Sequence, residues 1–236
     1  MTDATPPGAI TWQVADVVAA WAESSTARTL RLHLPEPWTY LPGQHVDVRL
    51  TAPDGYQAQR SYSIGSSPAD EGSIELTIQR LADGEVSPYL CDVLEVGDQI
   101  ELRGPIGGYF VWRGERPVLL VGGGSGLVPL MSILRHLRRT APDAPVRMIA
   151  SVRTPGDLLY SGELGDDARL IYTRAGPPGW AEPPRRLRPE DIAAAAFDEG
   201  PAYVCGPTGF VDRAADLLLA AGYPADQILT ERFGPT

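Results

Sequence analysis

Val118-Leu119-Leu120-Val121-Gly122-Gly123-Gly124-Ser125-Gly126-Leu127-Val128-Pro129 is the stretch on which the fold turns. Four apolar residues in a row are too short for a helix and suit a strand buried on both faces. Beyond the glycines, Leu130, Ile133, Leu134 and Leu137 recur at helical spacing, while Arg135, Arg138 and Arg139 lie off that stripe or near its C-terminal end. Strand, glycine turn and helix together set bare backbone amides and a helix N-terminus where a phosphate could sit. The run does not complete Gly-x-Gly-x-x-Gly, because Leu127 stands where the third glycine belongs, and it lacks the lysine of a P-loop. Read from Gly124 it is Gly-x-Gly-x-x-Pro, ending at Pro129, and proline is favoured in a first helical turn. A tight turn holding no ligand is the competing reading.

Toward the C-terminus the same style repeats. Continuous apolar runs at Val146–Val152, Leu170–Thr173 and Ala202–Cys205, separated by helical segments, predict a parallel sheet covered on both faces. Cys205-Gly206-Pro207-Thr208-Gly209 forms a second strand-to-helix turn, ahead of a helix with Val211, Ala214, Ala215 and Leu218 on one face. Ligands collect at the carboxyl ends of such strands, so Cys205 is read as a site wall in preference to a small core residue. Arg153 follows the second strand and Arg174 the third. Arginine there suits a 2′-phosphate, where an acidic residue would meet a ribose hydroxyl; ordinary solvated surface is the alternative for each. Gly176 to Pro189, rich in proline and glycine, reads as one long surface loop.

Toward the N-terminus the period changes. From Trp12 to about Arg103 apolar residues alternate in short runs, as in Thr29-Leu30-Arg31-Leu32-His33-Leu34, Val46-Asp47-Val48-Arg49-Leu50 and Ile74-Glu75-Leu76-Thr77-Ile78. Alternation means half-buried strands, and turns such as Leu41-Pro42-Gly43-Gln44 and Pro53-Asp54-Gly55 space roughly six of them into an antiparallel barrel or sandwich. The change of pattern at Arg113 to Pro117 predicts two domains, 1–113 and 114–236. On one barrel strand lies Arg60-Ser61-Tyr62-Ser63, and Gly84-Glu85-Val86-Ser87 precedes a short helical stretch from Pro88 to Val93. Arginine can neutralise a pyrophosphate, tyrosine can stack on a flat ring, and helix N-terminal amides with a serine hydroxyl can hold phosphate. A plain strand with Tyr62 in the core fits equally well on these grounds alone.

Composition narrows the options. The 236 residues carry 30 acidic and 20 basic side chains, a net charge of -10, and every basic residue is arginine. Such a balance, with scattered arginines, argues against nucleic acid as a partner. Two cysteines, Cys91 and Cys205, exclude within this chain an iron–sulfur cluster held by four thiolates and a four-cysteine zinc site. His33, His45 and His136 show no grouping that suggests a metal. No stretch approaches the roughly 18 apolar residues of a membrane span. Met1–Gly8 has neither a basic nor an apolar region, so a cytoplasmic location is expected.

Arg-x-Tyr-Ser, Gly-x-x-Ser, Gly-x-Gly-x-x-Pro and Cys-Gly-Pro, in that order, resemble the ferredoxin–NADP reductase family over nearly the whole chain. Leu41-Pro42-Gly43-Gln44 and Gly104-Pro105-Ile106-Gly107-Gly108-Tyr109-Phe110 are similar to the same family, particularly bacterial reductase components of oxygenases. The resemblance implies an FAD-binding antiparallel barrel followed by a five-stranded parallel NADP-binding domain, with catalysis between them. It implies that Arg60 meets the FAD phosphates with Ser61 beside it, that Tyr62 lies against the flavin ring, and that Ser63 reaches flavin N5. Gly84, Glu85, Val86 and Ser87 would hold the FAD pyrophosphate. Gly124, Ser125 and Gly126 would take the pyrophosphate of NADP (or NAD), with Cys205, Gly206 and Thr208 near the nicotinamide. Glu231 and Phe233 match the C-terminal acidic residue and aromatic that approach the flavin, although Gly234-Pro235-Thr236 follow where the plant-type pattern ends on its aromatic. The expected activity is hydride transfer from NADPH to FAD, with Ser63, Cys205 and Glu231 around the reacting atoms. Electrons would then pass to a separate iron–sulfur, haem or other redox protein. A flavin or ferric reductase with a small-molecule acceptor, and a non-catalytic FAD-binding electron-transfer subunit, are the rival expectations.

Overall fold

The computed structural model describes residues 10–165 and 168–234. The N-terminal half folds into six strands: β1 (Trp12–Ser24), β2 (Ala27–His33), β3 (His45–Thr51), β4 (Gln57–Ser63), β5 (Ser73–Gln79) and β6 (Gln99–Ile106). Their order is β4-β3-β6-β1-β2-β5, all pairs antiparallel, and a bridge between Ile64 and Leu76 joins the two ends into a barrel. The alternation seen in the sequence is the inside and outside of that barrel: Leu30, Leu32, Val46, Val48, Ile74 and Leu76 are buried in its core. The stretch expected to be helical from Pro88 starts earlier, as α1 (Val86–Pro88), and runs into a wider π-helical turn at Tyr89–Val93.

The C-terminal half is a parallel sheet of β7 (Val118–Gly123), β8 (Val146–Val152), β9 (Ala168–Tyr172), β10 (Ala202–Pro207) and β11 (Ile228–Phe233), in the order β11-β10-β7-β8-β9. Four of these were visible as continuous apolar runs. The fifth, β11, lies at the sheet edge and carries Thr230, Glu231 and Arg232, so periodicity alone did not show it. Helices α2 (Leu127–Thr140), α3 (Pro189–Ala195) and α4 (Thr208–Ala220) pack on the two faces. On the α2 face the core also takes in Ala27, Phe110 and Trp112 from the N-terminal half, and the Tyr203 hydroxyl donates to the Val111 carbonyl at 3.0 Å. On the other face, Leu119, Val121 and Val204 meet Ile192, Val211 and Leu218.

Strand order reverses at β7. The chain runs outward through β8 and β9 on one side and through β10 and β11 on the other, so a crevice opens between the carboxyl ends of β7 and β10. Both glycine-rich turns stand there. Polar contacts fix the barrel against this crevice, among them Ser132 Oγ to the Ser66 carbonyl (2.6 Å) and Arg135 Nη1 to the Gly65 carbonyl (2.9 Å). Residues 176–188 form the long loop expected, tied down by Arg185.

Candidate functional site at the domain junction

Two adjoining cavities, of about 620 and 820 Å³, share Arg60, Gly84, Ser125 and Pro207 in their walls. The smaller one is lined by Arg60, Tyr62, Ser63, Gly84 and Ser87 of the barrel, and by Ser125, Thr208 and Phe233 across the junction. β4 delivers its side chains to two environments. Ser61 Oγ donates to Asp47 Oδ1 at 2.7 Å, and Asp47 is also held by Arg103 at 2.6 Å, so the Ser61 hydroxyl serves the barrel wall although the residue borders the cavity. Two residues on, Ser63 is buried and its Oγ has no hydrogen-bond partner among the described residues. An unmet buried hydroxyl costs about 1–3 kcal/mol, which points to a polar group of a ligand as its partner. Tyr62 packs half-buried against the barrel core, and burial pushes its hydroxyl up to about 12, so it is a neutral ring beside the cavity.

The Gly84–Ser87 turn folds on itself. Gly84 N donates to the Leu81 carbonyl at 3.0 Å and Leu81 N to Ser87 Oγ at 3.1 Å; a Cβ on Gly84 would stand 2.9 Å from Ser87 Oγ. Glu85 accepts from Tyr56 at 3.2 Å and lies 3.8 Å from Arg60 Nη2. Its carboxylate therefore sits next to the cation expected to meet phosphate, and the backbone of Glu85 and Val86 is the part suited to an anion.

The glycines of the second turn divide their work. Gly124 has φ +56° with open space where a Cβ would be, so it supplies the left-handed bend, and with Ser125 it lines the larger cavity. Gly126 does not line either cavity: a Cβ there would fall 2.2 Å from the Cys205 carbonyl, so this glycine lets α2 approach β10. Arg153 lines the larger cavity and pairs with Asp157 at 3.2 Å; Asp157 in turn accepts from Thr154 N and Thr154 Oγ1. Arg174 is exposed and lines neither cavity, although its neighbour Thr173 lines the larger one.

Cys205 also departs from the expectation of a cavity wall. It is 0% exposed and belongs to the core beneath α2. Pro207, two residues on, forms the wall instead, and the ladder sets Pro207 beside Phe233 and Cys205 beside Glu231. Gly206 and Glu231 likewise stand one step back from the cavities. The Cys205 thiol lies 4.0 Å from Glu231 Oε2, and burial, then that carboxylate, push it well above the ordinary thiol range. Burial raises Glu231 to about 7, which leaves it able to hold or release a proton near neutral pH. Several wall residues were not singled out from sequence, including Thr77, Gln79, Val128, Phe210 and Asp157. Thr154-Pro155-Gly156-Asp157 carries the spacing of a capping box, a signal that could have marked Asp157.

Among the described residues no group of histidine, cysteine and carboxylate is placed to hold a metal, and no helix is long and apolar enough to cross a membrane. The donor set, an unmet hydroxyl beside a neutral aromatic ring and two turns of bare amides, fits a flavin nucleotide on the barrel and a dinucleotide on the sheet. Fold and site therefore define a two-domain flavin- and nicotinamide-dinucleotide-binding oxidoreductase.

Family models agree with that class: an oxidoreductase FAD-binding domain matches residues 15–111 and an oxidoreductase NAD-binding domain matches residues 120–216. The chain belongs to the ferredoxin–NADP reductase family. It is 31% identical over 224 residues to the reductase component of propane 2-monooxygenase from Rhodococcus jostii, covering 87% of this chain and 59% of that one. It is 33% identical over 209 residues to the glycine betaine monooxygenase reductase subunit of Pseudomonas aeruginosa, covering 84% and 57%. A solved structure of the ferredoxin reductase in carbazole 1,9a-dioxygenase superposes with a TM-score of 0.81 at 28% identity, over 97% of this chain and 71% of that one. The chain thus spans under two thirds of the length of the two curated relatives.

Proposed function

We propose that this chain is an NAD(P)H-dependent flavoprotein reductase that passes electrons to a separate redox protein. The observation that carries the reading is Ser63: a buried hydroxyl without a partner, at the wall of a cavity that both domains build. The likeness to oxygenase reductase components supports the acceptor class, an iron–sulfur, haem or other redox protein. When bound, the two cofactors supply hydride transfer from nicotinamide C4 to flavin N5 and single-electron release to the acceptor.

The protein's own part is to bind, orient and exclude water. Arg60 neutralises phosphate of FAD, Tyr62 covers the ring face, and in the Gly84–Ser87 turn the amides of Glu85 and Val86 with the Ser87 hydroxyl hold the pyrophosphate. Gly124 and Ser125 take the pyrophosphate of the nicotinamide dinucleotide, while Pro207, Thr208 and Phe233 close the junction. Ser63 orients the reacting edge of the flavin. Glu231 holds or yields a proton behind Phe233, and the buried Cys205 thiol keeps Glu231 apart from other charges. Arg153 meets the 2′-phosphate of NADPH, sharing its charge with Asp157. We put the functional division at Arg113–Gly114 and the reductase in the cytoplasm.

Assay of the FAD-loaded protein under argon tests this reading, with NADPH or NADH as donor and ferricyanide, a ferredoxin or free flavin as acceptor. Rapid reduction of ferricyanide and ferredoxin, faster with NADPH, is expected. Reduction of free flavin alone would move the assignment to a small-molecule reductase, and no turnover with any acceptor would sink it.

A further inference from the structure

Tyr160 is the one residue other than glycine with a left-handed backbone among the described residues, at φ 56°. For a bulky side chain that conformation costs about 1–3 kcal/mol and persists only where the surroundings over-determine it. They do so here from the other domain. The Tyr160 amide donates to Glu23 Oε1 of β1 at 2.8 Å, and the Tyr160 hydroxyl donates to Thr77 Oγ1 of β5 at 2.6 Å. Thr77 Oγ1 lies 2.7 Å from Thr29 Oγ1, and Thr29 donates to Glu23 Oε2 at 3.0 Å. Because Thr29 gives its proton to the carboxylate, Thr77 must donate to Thr29 and accept from Tyr160. The result is a closed ring of hydrogen bonds that starts and ends on Tyr160 and crosses the domain junction twice. The Arg135 guanidinium, 5.0 Å over the tyrosine ring, closes the remaining face.

The ring of bonds touches both cavities. Thr77 lines the smaller one, and Leu159, next to Tyr160, lines the larger with Asp157. Gly65 leaves room for the hydroxyl, since a Cβ there would be 3.0 Å from it and 3.4 Å from Val128, which also lines the smaller cavity. Neither a strained backbone nor a junction-spanning ring is needed merely to fill a core, because phenylalanine in an ordinary conformation would bury as much apolar surface.

We propose that Tyr160 is a positioning residue, whose hydrogen-bonded ring through Thr77, Thr29 and Glu23 sets how closely the nicotinamide and flavin approach. This inference rests on the reductase reading above. A misplacement of about 1 Å at reacting atoms can slow a reaction by roughly 10²-fold, so loss of one bond in the ring should act on rate before it acts on binding.

The test compares wild type, Tyr160→Phe, Thr77→Val and the double variant, each loaded with FAD and mixed anaerobically with saturating NADPH. Flavin reduction, the long-wavelength charge-transfer absorbance of stacked nicotinamide and flavin, FAD affinity, and amide exchange over residues 158–165 in the flavin-free protein are followed. The expected result for each single variant is unchanged FAD affinity, reduction slowed about tenfold, weaker charge-transfer absorbance and faster amide exchange. The double variant should be no slower than Thr77→Val alone, since that substitution already removes the Tyr160–Thr77 bond together with the Thr77–Thr29 bond. Rates and absorbance within twofold of wild type would overturn the proposal. So would slowing that tracks loss of FAD, which is the mark of a purely structural tyrosine. If wild-type flavin stays oxidised with both nucleotides, the reductase reading itself fails, and this result is distinct from a wild type that reacts alongside variants that match it.

Discussion

Asp191 and Glu231 are carboxylates of the same sheet domain, and their surroundings treat them in opposite ways. Asp191, at α3, is 1% exposed and surrounded by donors: Arg185 grips it with two bonds of 2.6 and 2.9 Å, Arg169 adds one of 2.6 Å and the Arg188 amide one of 2.9 Å. Burial alone would raise its pKa, but Arg185, the Arg188 amide and Arg169 outweigh it and hold the carboxyl below its ordinary range. Glu231, at β11, has a thiol for a neighbour and forms no ion pair among the described residues, so burial governs and its pKa climbs to about 7. The first region fastens a loop. The second keeps a proton available. Ser61 and Ser63 repeat the contrast two residues apart, one hydroxyl bonded to Asp47 and the other unmet. Ser63 lines the smaller cavity, and Glu231 stands one step behind the cavity wall.

The largest effect expected from breaking this comparison is on stability at Asp191. Asp191→Ala leaves Arg185, whose side chain is 9% exposed, with Glu182 as its remaining carboxylate, and should cost about 3 kcal/mol by urea unfolding at pH 7. The difference from wild type should close as pH falls below about 4, since a depressed folded pKa gives stability above the unfolded value that is lost on acidification. A cost under about 1 kcal/mol would show that the cluster is not the anchor described.

Ser63→Ala comes next. It removes the unmet hydroxyl, so the flavin-free protein should gain stability while flavin reduction by NADPH slows roughly 10²-fold with FAD retained. An unchanged reduction rate in stopped-flow would mean that the hydroxyl meets nothing that matters.

At Glu231 the sign reverses relative to Asp191. A raised folded pKa favours folding at acid pH and loses that advantage as pH rises from the unfolded value toward about 7. Wild type should therefore lose on the order of 2 kcal/mol across that window relative to Glu231→Gln, with the discount that partial exposure requires. The same variant should slow reduction about tenfold and abolish an inflection near pH 7 in the rate profile. A wild-type profile flat from pH 5 to 9 would remove Glu231 from the chemistry.

Arg153→Ala should have the smallest effect, because Asp157 already offsets the guanidinium. The Michaelis constant for NADPH should rise about threefold and that for NADH stay within twofold, as suits an exposed pair worth roughly 0–1 kcal/mol. Equal changes for both nucleotides would take the 2′-phosphate away from this residue.

Much of this was legible in the chain itself. Alternation against continuity separates barrel from parallel sheet, since burial on one face or on two writes itself into the pattern, and Gly124 betrays a bend that needs positive φ. The edge strand β11 was hidden from periodicity because its outer residues are polar, and only resemblance pointed to it. Likewise, Cys205 and Gly126 sit at two turns that look ligand-facing, yet the close approach of α2 to β10 turns both inward. Thr77, Thr29 and Tyr160 carried no signal at all, for their meaning comes from a contact across 83 positions of sequence.

The central claim is that the two cavities form one reaction site joining flavin and nicotinamide. An anaerobic titration of the FAD-loaded protein with NADPH, and separately with NADH, tests it most directly by following the flavin absorption bands. One equivalent of nucleotide bleaching one equivalent of flavin, faster with NADPH, is the predicted result. Bound flavin that neither nucleotide bleaches would contradict it.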